Sequence, residues 1–264
     1  MKTIHFMAGF PRAGSTLLCN ILNQNPRFHA TSTSGILDIV LAIRNQWENV
    51  NEFKASPNKQ GKANVMKPIL QNYYSTVDRP VVFDKSRGWS GNIELAEYCL
   101  GRPAKLIIPV RAIVDILASF EDLTRENKTA WQMPQERDYF YEWQTQAGRA
   151  DIWMRNDQPV GIAYNRIRDA LDSGMGDRMH FVEFVDLTTN PEAAMRKIYK
   201  FLDEEYFDHD FDYVEQSTNE NDDIHGIPGL HTIRNKVAPM QVDAKSIIGE
   251  EAYEKYLNIE FWRG

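Results

Sequence analysis

The chain has 264 residues, with 30 Lys and Arg against 37 Asp and Glu, a formal charge of −7. Its 42% apolar and 25% charged content is that of a folded globular protein and excludes a disordered one, while the acidic balance argues against a nucleic-acid polymer as partner. The length suits one domain over 1–264. No apolar run approaches the roughly 20 residues that span a bilayer, the N-terminus is a poor signal peptide because Pro11 and Arg12 interrupt it, and two cysteines, Cys19 and Cys99, fit a reducing cytoplasm as small buried side chains.

In chain order, the first predicted strand is 3–8, short and apolar. A helix follows, because Leu17, Leu18, Ile21 and Leu22 fall on one face. Helices are expected near 34–48 and 62–75, a strand at 80–83, a helix at 91–100 and a strand at 105–110. Helical patterns near 112–126, 136–156 and 161–172 suggest a helical subregion over about 112–175. A strand at 179–184 precedes a helix with Asn190 as N-cap, Pro191 at its first position and Met195, Ile198, Tyr199 and Leu202 on its apolar face. Residues 203–223 hold ten acidic residues and no Lys or Arg, which reads as a solvated excursion; a metal site is the alternative, although no EF-hand spacing occurs. A last helix is expected at 244–257. Strands alternating with helices predict a three-layer α/β fold with a parallel sheet between helical layers.

The chemistry concentrates where the first strand turns into the first helix. Gly9 and Gly14 have the spacing of a phosphate-binding P-loop, but Ser15 stands where a nucleotide triphosphatase places its lysine. Such a loop holds an anion with successive backbone N–H groups and the positive end of the helix. Ser15 and Thr16 add hydroxyls, and Arg12 adds a permanently charged planar fork. A phosphate-like group therefore fits, and Mg-dependent ATP chemistry loses its usual lysine.

The run Phe10-Pro11-Arg12-Ala13-Gly14-Ser15-Thr16-Leu17-Leu18 resembles the P-[RK]-[SA]-G-[ST]-[ST] loop of sulfotransferases that use 3′-phosphoadenosine 5′-phosphosulfate (PAPS). The resemblance implies a P-loop-like sulfotransferase fold. It also implies that Arg12 and the amides of Ala13, Gly14, Ser15 and Thr16 hold the phosphosulfate. Four further segments are similar to parts of that family. Strand 106–110 ends in Arg111, with Asp115 and Ser119 four and eight residues on; by resemblance Arg111 and Ser119 hold the 3′-phosphate. Val81-Val82-Phe83-Asp84-Lys85-Ser86 matches the second core strand, whose Lys85 would stabilise charge at the sulfuryl group. Phe184 and Val185 replace the Tyr and Glu of a later Y-E-D-L region. The glycine-rich stretch 226–237 resembles late loops that close over the nucleotide, with Arg234 and Lys236 as contacts to phosphate or adenosine.

The implied activity moves a sulfuryl group from PAPS to a hydroxyl or amine, releases adenosine 3′,5′-bisphosphate (PAP), and requires no metal. Arg12 and Lys85 are the expected catalytic residues. No residue stands out as the general base; His29, Asp38, Asp84 and His231 are the candidates. A P-loop-type nucleotide kinase or NTPase, or a catalytically silent nucleotide-binding protein, are the alternatives. The acceptor could be a small molecule, a carbohydrate or a peptide. Trp47, Tyr73, Tyr74, Trp89, Trp131, Tyr139, Trp143 and Trp153 could line its pocket, although at helical spacing most such aromatics belong to the core.

Overall fold

A computed structural model of the chain describes residues 1–126, 134–225 and 229–263. Its elements run β1 (Thr3–Met7), α1 (Ser15–Asn23), β2 (Phe28–Ala30), α2 (Ile36–Asn49), α3 (Asn51–Ala55), α4 (Lys59–Met66), α5 (Ile69–Tyr73), β3 (Val81–Lys85), α6 (Ile93–Leu100), β4 (Leu106–Val110), α7 (Ile113–Glu126), α8 (Pro134–Asp138), α9 (Gln146–Trp153), α10 (Pro159–Asp172), β5 (Met179–Glu183), α11 (Phe184–Thr189), α12 (Pro191–Leu202), α13 (Ala244–Ile248) and α14 (Glu250–Tyr256). The five strands form one sheet in the order β2-β3-β1-β4-β5, with every pair parallel.

The alternation of the strands divides the core. Ile4, Phe6, Val82, Leu106 and Ile108 face one helical layer that includes α2, α6, α7, α9, α10 and the C-terminal helices. Met7, Val81, Phe83, Ile107 and Val182 face the other, formed by α1, α11 and α12. Both faces are apolar because both are covered, so the strands read as continuous apolar runs. Three layers around a parallel sheet result, as expected.

Several boundaries differ from expectation, each for a local reason. The helix expected at 62–75 splits at Pro68 into α4 and α5, since proline supplies no amide to continue the first helix. The helix at 244–257 splits at Gly249, whose φ of 82° lies in the left-handed region. The 136–156 pattern resolves into α8, a 3₁₀ turn at Glu142–Gln144 and α9. Strand β5 stops at Glu183 and Phe184 opens α11, which the strand-like run Phe181-Val182-Glu183-Phe184 conceals. Strand β2 falls between the first helix and the one expected at 34–48, where the sequence pattern marks no element. It is only three residues long and forms the sheet edge, where Asn23 substitutes for a neighbouring strand: its Oδ1 accepts from the Ala30 amide at 2.7 Å and its Nδ2 donates to the Ala30 carbonyl at 3.0 Å. Arg79 donates to the outward Phe28 carbonyl.

The acidic stretch 203–223 departs from the solvated reading. Val214 and Thr218 are buried, and the Asn20 side chain on α1 accepts from the amides of Ser217 (2.6 Å) and Thr218 (3.0 Å). The stretch therefore straps across α1 and carries its later carboxylates toward the phosphate loop. Trp89, Trp143 and Trp153 are core residues, as is Tyr74. Trp47 stacks on Phe53, Tyr139 packs under Arg155, and Trp131 lies outside the described residues. Cys19 and Cys99 are both free and buried, and burial pushes each thiol up to about 11.

Candidate active site

The turn after β1 is built by its glycines and by one strained arginine. The chain leaves β1 alongside β4, with the amides of Ala8 and Phe10 donating to the carbonyls of Ile107 and Pro109. Gly9 passes so close to Pro109 that a Cβ would stand 2.1 Å from its carbonyl oxygen. Arg12 then adopts φ 60° and Gly14 φ 83°, two left-handed residues flanking Ala13. A non-glycine residue held there costs on the order of 1 kcal/mol and turns successive amides toward one concavity. Helix α1 starts at Ser15 with no side-chain cap and no acidic residue in its first turn. Its positive end stays uncompensated and faces the same concavity.

Two arginines converge on this loop. Arg12 Nε donates to Ser119 Oγ at 3.0 Å and its Nη1 to the Leu230 carbonyl at 2.7 Å. Arg111, between β4 and α7, donates from Nη1 to the Arg12 carbonyl at 3.3 Å and lies 4.7 Å above the Phe184 ring. Its Nε has no hydrogen-bond partner although the residue is only 5% exposed; Asp115 Oδ2 stands 3.6 Å away, at ion-pair range but too far for a hydrogen bond. Burial depresses the proton affinity of both guanidiniums; Arg111 adds to the effect at Arg12, and Asp115 opposes it at Arg111. Both remain charged, since arginine does not deprotonate in proteins. Two like charges in a water-poor pocket favour a bound polyanion. The Phe184 ring also limits the loop, since a Cβ on Gly14 would meet its Cδ2 at 2.7 Å. The residue that departs from the family pattern thus packs under Arg111 and against the loop.

Lys85, at the carboxyl end of β3, completes the cluster. Its Nζ lies 3.4 Å from Thr16 Oγ1 and 3.1 Å from Glu220 Oε1, with the Glu220 side chain only 5% exposed. Glu220 Oε2 is 3.4 Å from His231 Nδ1, and His231 Nδ1 donates to Asp222 Oδ1 at 2.5 Å. Arg12, the loop amides, Arg111, Ser119 and Lys85 are therefore brought together around the loop. Glu220 is the residue that sequence reasoning missed, because its only signal was membership of an acidic run.

The other expectations fare differently. Lys236 turns outward and pairs with Asp212 at 2.6 Å, and Arg234 is exposed; neither reaches the loop. The carbonyl of Leu230 and the ring of His231 make the approach instead, while residues 226–228 of that segment lie outside the described residues. Asp38 is exposed on the first turn of α2. Asp84 is fully buried and accepts from Tyr74 Oη, from Trp89 Nε1 at 2.6 Å and from Ser34 Oγ at 2.7 Å; desolvation raises its pKa against those three donors. It anchors the end of β3 and is sealed from any acceptor. His29 lines a groove of about 570 Å³ along the β2 edge, where burial, then Arg79 and Lys2, lower its pKa. Of the four candidates for the base, only His231 joins the cluster at the loop. Among the described residues no group of three or more His, Cys, Asp or Glu is arranged to hold a metal ion. No helix among them is long and apolar enough to cross a membrane.

A model of the sulfotransferase family matches residues 5–208, and the chain belongs to that family. Among solved structures, the sulfotransferase domain from the curacin biosynthetic pathway is 15% identical, with 97% of each chain covered and a TM-score of 0.52. A mouse sulfotransferase complexed with PAP is 12% identical over 99% of this chain and 87% of that one, with a TM-score of 0.49. A sulfotransferase from Mycobacterium avium is 17% identical over 77% of this chain and 64% of that one, with a TM-score of 0.47, so the chain spans less than two thirds of that protein's length. No curated protein matches the chain significantly. The three-layer parallel α/β architecture with its P-loop-like turn is the sulfotransferase fold.

Proposed function

We propose that the protein is a single-domain enzyme that transfers a sulfuryl group from PAPS to a hydroxyl or amine. The observation that carries this reading is the convergence of half-buried Arg12 and buried Arg111 on a left-handed loop, with the Arg111 Nε lacking a hydrogen bond. Two guanidiniums beside the loop amides, with Asp115 as the one carboxylate at ion-pair range of Arg111, suit a nucleotide with two separate phosphate groups. Its residues fit the donor. The loop amides, Arg12 and Thr16 would hold the 5′-phosphosulfate, and Arg111 with Ser119 the 3′-phosphate. Arg234 and Lys236 have no place in this assignment.

The donor supplies an already activated sulfuryl group, so the protein's tasks are alignment, charge stabilisation and removal of one proton. Arg12 offsets charge on the leaving phosphate. Lys85 moves its charge from Glu220 toward the sulfuryl oxygens, next to Thr16. As the acceptor atom bonds to sulfur and the sulfur–oxygen bond to the 5′-phosphate breaks, the acceptor's proton passes to the Glu220 carboxylate. His231, held by Asp222, keeps that carboxylate in place. Two free buried cysteines suit a reducing compartment such as the cytoplasm.

The test is a thermal-shift titration with PAP beside ATP, since stabilisation grows with ligand concentration over Kd. PAP should stabilise the wild type more strongly than ATP. Arg111→Ala should bind PAP no better than AMP. A preference for ATP, or no response to PAP, would refute the donor assignment; retained discrimination in Arg111→Ala would refute the role of Arg111.

A further inference from the structure

Two more guanidiniums stand just beyond the loop with no ionic partner. Arg87 follows Lys85 and Ser86 on the 3₁₀ turn Arg87–Gly91. Arg166 reaches that turn from α10, its Cγ 3.1 Å from where a Cβ on Gly91 would stand. The two line a cleft of about 290 Å³ together with Gln135, Asp157 and Gln158. Among the described residues neither guanidinium makes an ion pair or a side-chain hydrogen bond.

The carboxylate that lines the cleft and the one whose charge reaches Arg87 are both engaged. Asp157, at the rim, has Oδ1 3.4 Å from Arg155 Nε and accepts at Oδ2 from the Tyr139 hydroxyl at 3.0 Å. Glu220, whose charge acts on Arg87, is paired with Lys85. Arg87 is exposed at the cleft, yet the protein packed around it, and next the neighbouring Arg166, depress its proton affinity. Two arginines lining one cleft repel each other, and a shared oxyanion reverses the sign of that energy. The groove along β2 offers no such feature. Its one cation, Arg79, already donates to the carbonyls of Asn23 and Phe28.

We propose that the cleft between Arg87 and Arg166 binds an oxyanion group of the acceptor, a carboxylate, sulfate or phosphate, and so selects acidic acceptors. The chain direction supports this placement: Lys85 at the reacting centre and Arg87 at the cleft are two residues apart, so an anchored acceptor presents its hydroxyl or amine to Lys85 and Glu220. The acceptor role rests on the sulfotransferase reading, whereas the anion site itself does not.

Inorganic sulfate, inorganic phosphate and succinate are each titrated into PAP-saturated protein at constant ionic strength, read by calorimetry. PAP occupies the loop, so a saturable response reports on the cleft. Wild type should bind at least one of the three saturably, and the preferred probe identifies the oxyanion. Arg87→Gln and Arg166→Gln should each weaken that binding about tenfold or more, because a charge-assisted hydrogen bond is lost. PAP affinity should stay within about twofold in both. Arg166→Lys, which keeps the charge and the packed stem, should fall between, and guards against misfolding of the Gln variant. No saturable binding by wild type, or binding unchanged in both Gln variants, overturns the proposal. Failure of PAP to bind would instead refute the donor assignment, and the same titrations without PAP, compared across the variants, still decide the cleft.

Discussion

Replacing Glu220 with Gln keeps the shape of the side chain and removes its charge, and three measurements should then move, two down and one up. At 3.1 Å and an effective dielectric constant of about 20, the Lys85–Glu220 attraction is about 5 kcal/mol before desolvation is counted. Neutralising one member of a buried pair typically costs about 3–5 kcal/mol. Lys85 keeps the Thr16 hydroxyl at 3.4 Å and 13% side-chain exposure, so the lower end, about 3 kcal/mol, is expected. That corresponds to a fall in Tm of roughly 6–12 °C for a chain of this size. Affinity for PAP should rise, by about tenfold, because a carboxylate no longer stands beside the phosphate loop and Lys85 is released to it. Sulfuryl transfer from PAPS, followed by mass detection of sulfated product or free sulfate, should fall by about 10²-fold or more, the usual scale for losing a general base. Full turnover in the variant would refute the proton-accepting role of Glu220. A weaker, rather than tighter, complex with PAP would refute the placement of Glu220 against the donor site.

Two other outcomes follow from the geometry. Gly14→Ala puts a side chain at φ 83° and within 2.7 Å of the Phe184 ring; a loss of roughly 2–3 kcal/mol in denaturant unfolding is expected, together with weakened PAP binding. A Phe184→Leu second change should restore part of the stability, and a Gly14→Ala protein as stable as wild type would disprove the close packing. Acid sensitivity should trace to buried His5 and half-buried His209. Burial lowers His5 to about 3 and His209 to about 4, against an ordinary value of 6.5. A lowered folded-state pKa gives stability that is present above pH 6.5 and lost as pH falls, because the unfolded chain takes up the proton first. His5 alone should account for roughly 2 kcal/mol lost by pH 5. His5→Leu, measured by urea unfolding between pH 7 and 5, should flatten that slope; an unchanged slope would assign the acid sensitivity elsewhere.

The loop at residues 9–16 was legible because everything it needs is local. Strand, glycines, arginine, hydroxyls and amphipathic helix lie within one stretch of chain. Arg111, Ser119 and Lys85 were legible through short motifs at strand ends, where ligands of parallel sheets are bound. Glu220 was not, since its partner Lys85 lies 135 residues away and its neighbours are acidic residues at the surface. A run of like charges looks solvated until one member finds a cation elsewhere. Strand β2 was hidden for a related reason, since its outward groups are satisfied by the side chains of Asn23 and Arg79 and not by a period in its own three residues. Arg234 and Lys236 were placed through the resemblance of a glycine-rich stretch to late nucleotide-closing loops, and the attraction of Asp212 for Lys236 draws that side chain away from the loop.

The bonds made by Arg12 span 107 residues to Ser119 and 218 to Leu230. A chain that folds as it is synthesised exposes its phosphate loop long before the segment that completes it. Until the segment that carries Glu220 and Leu230 has been made and docked, Arg12 lacks its Leu230 carbonyl and Lys85 its counter-charge. The loop of a nascent chain is thus a bare cationic turn, open to any cellular polyanion. The acidic strap is its internal competitor, one that arrives only after all five strands of the sheet have been made.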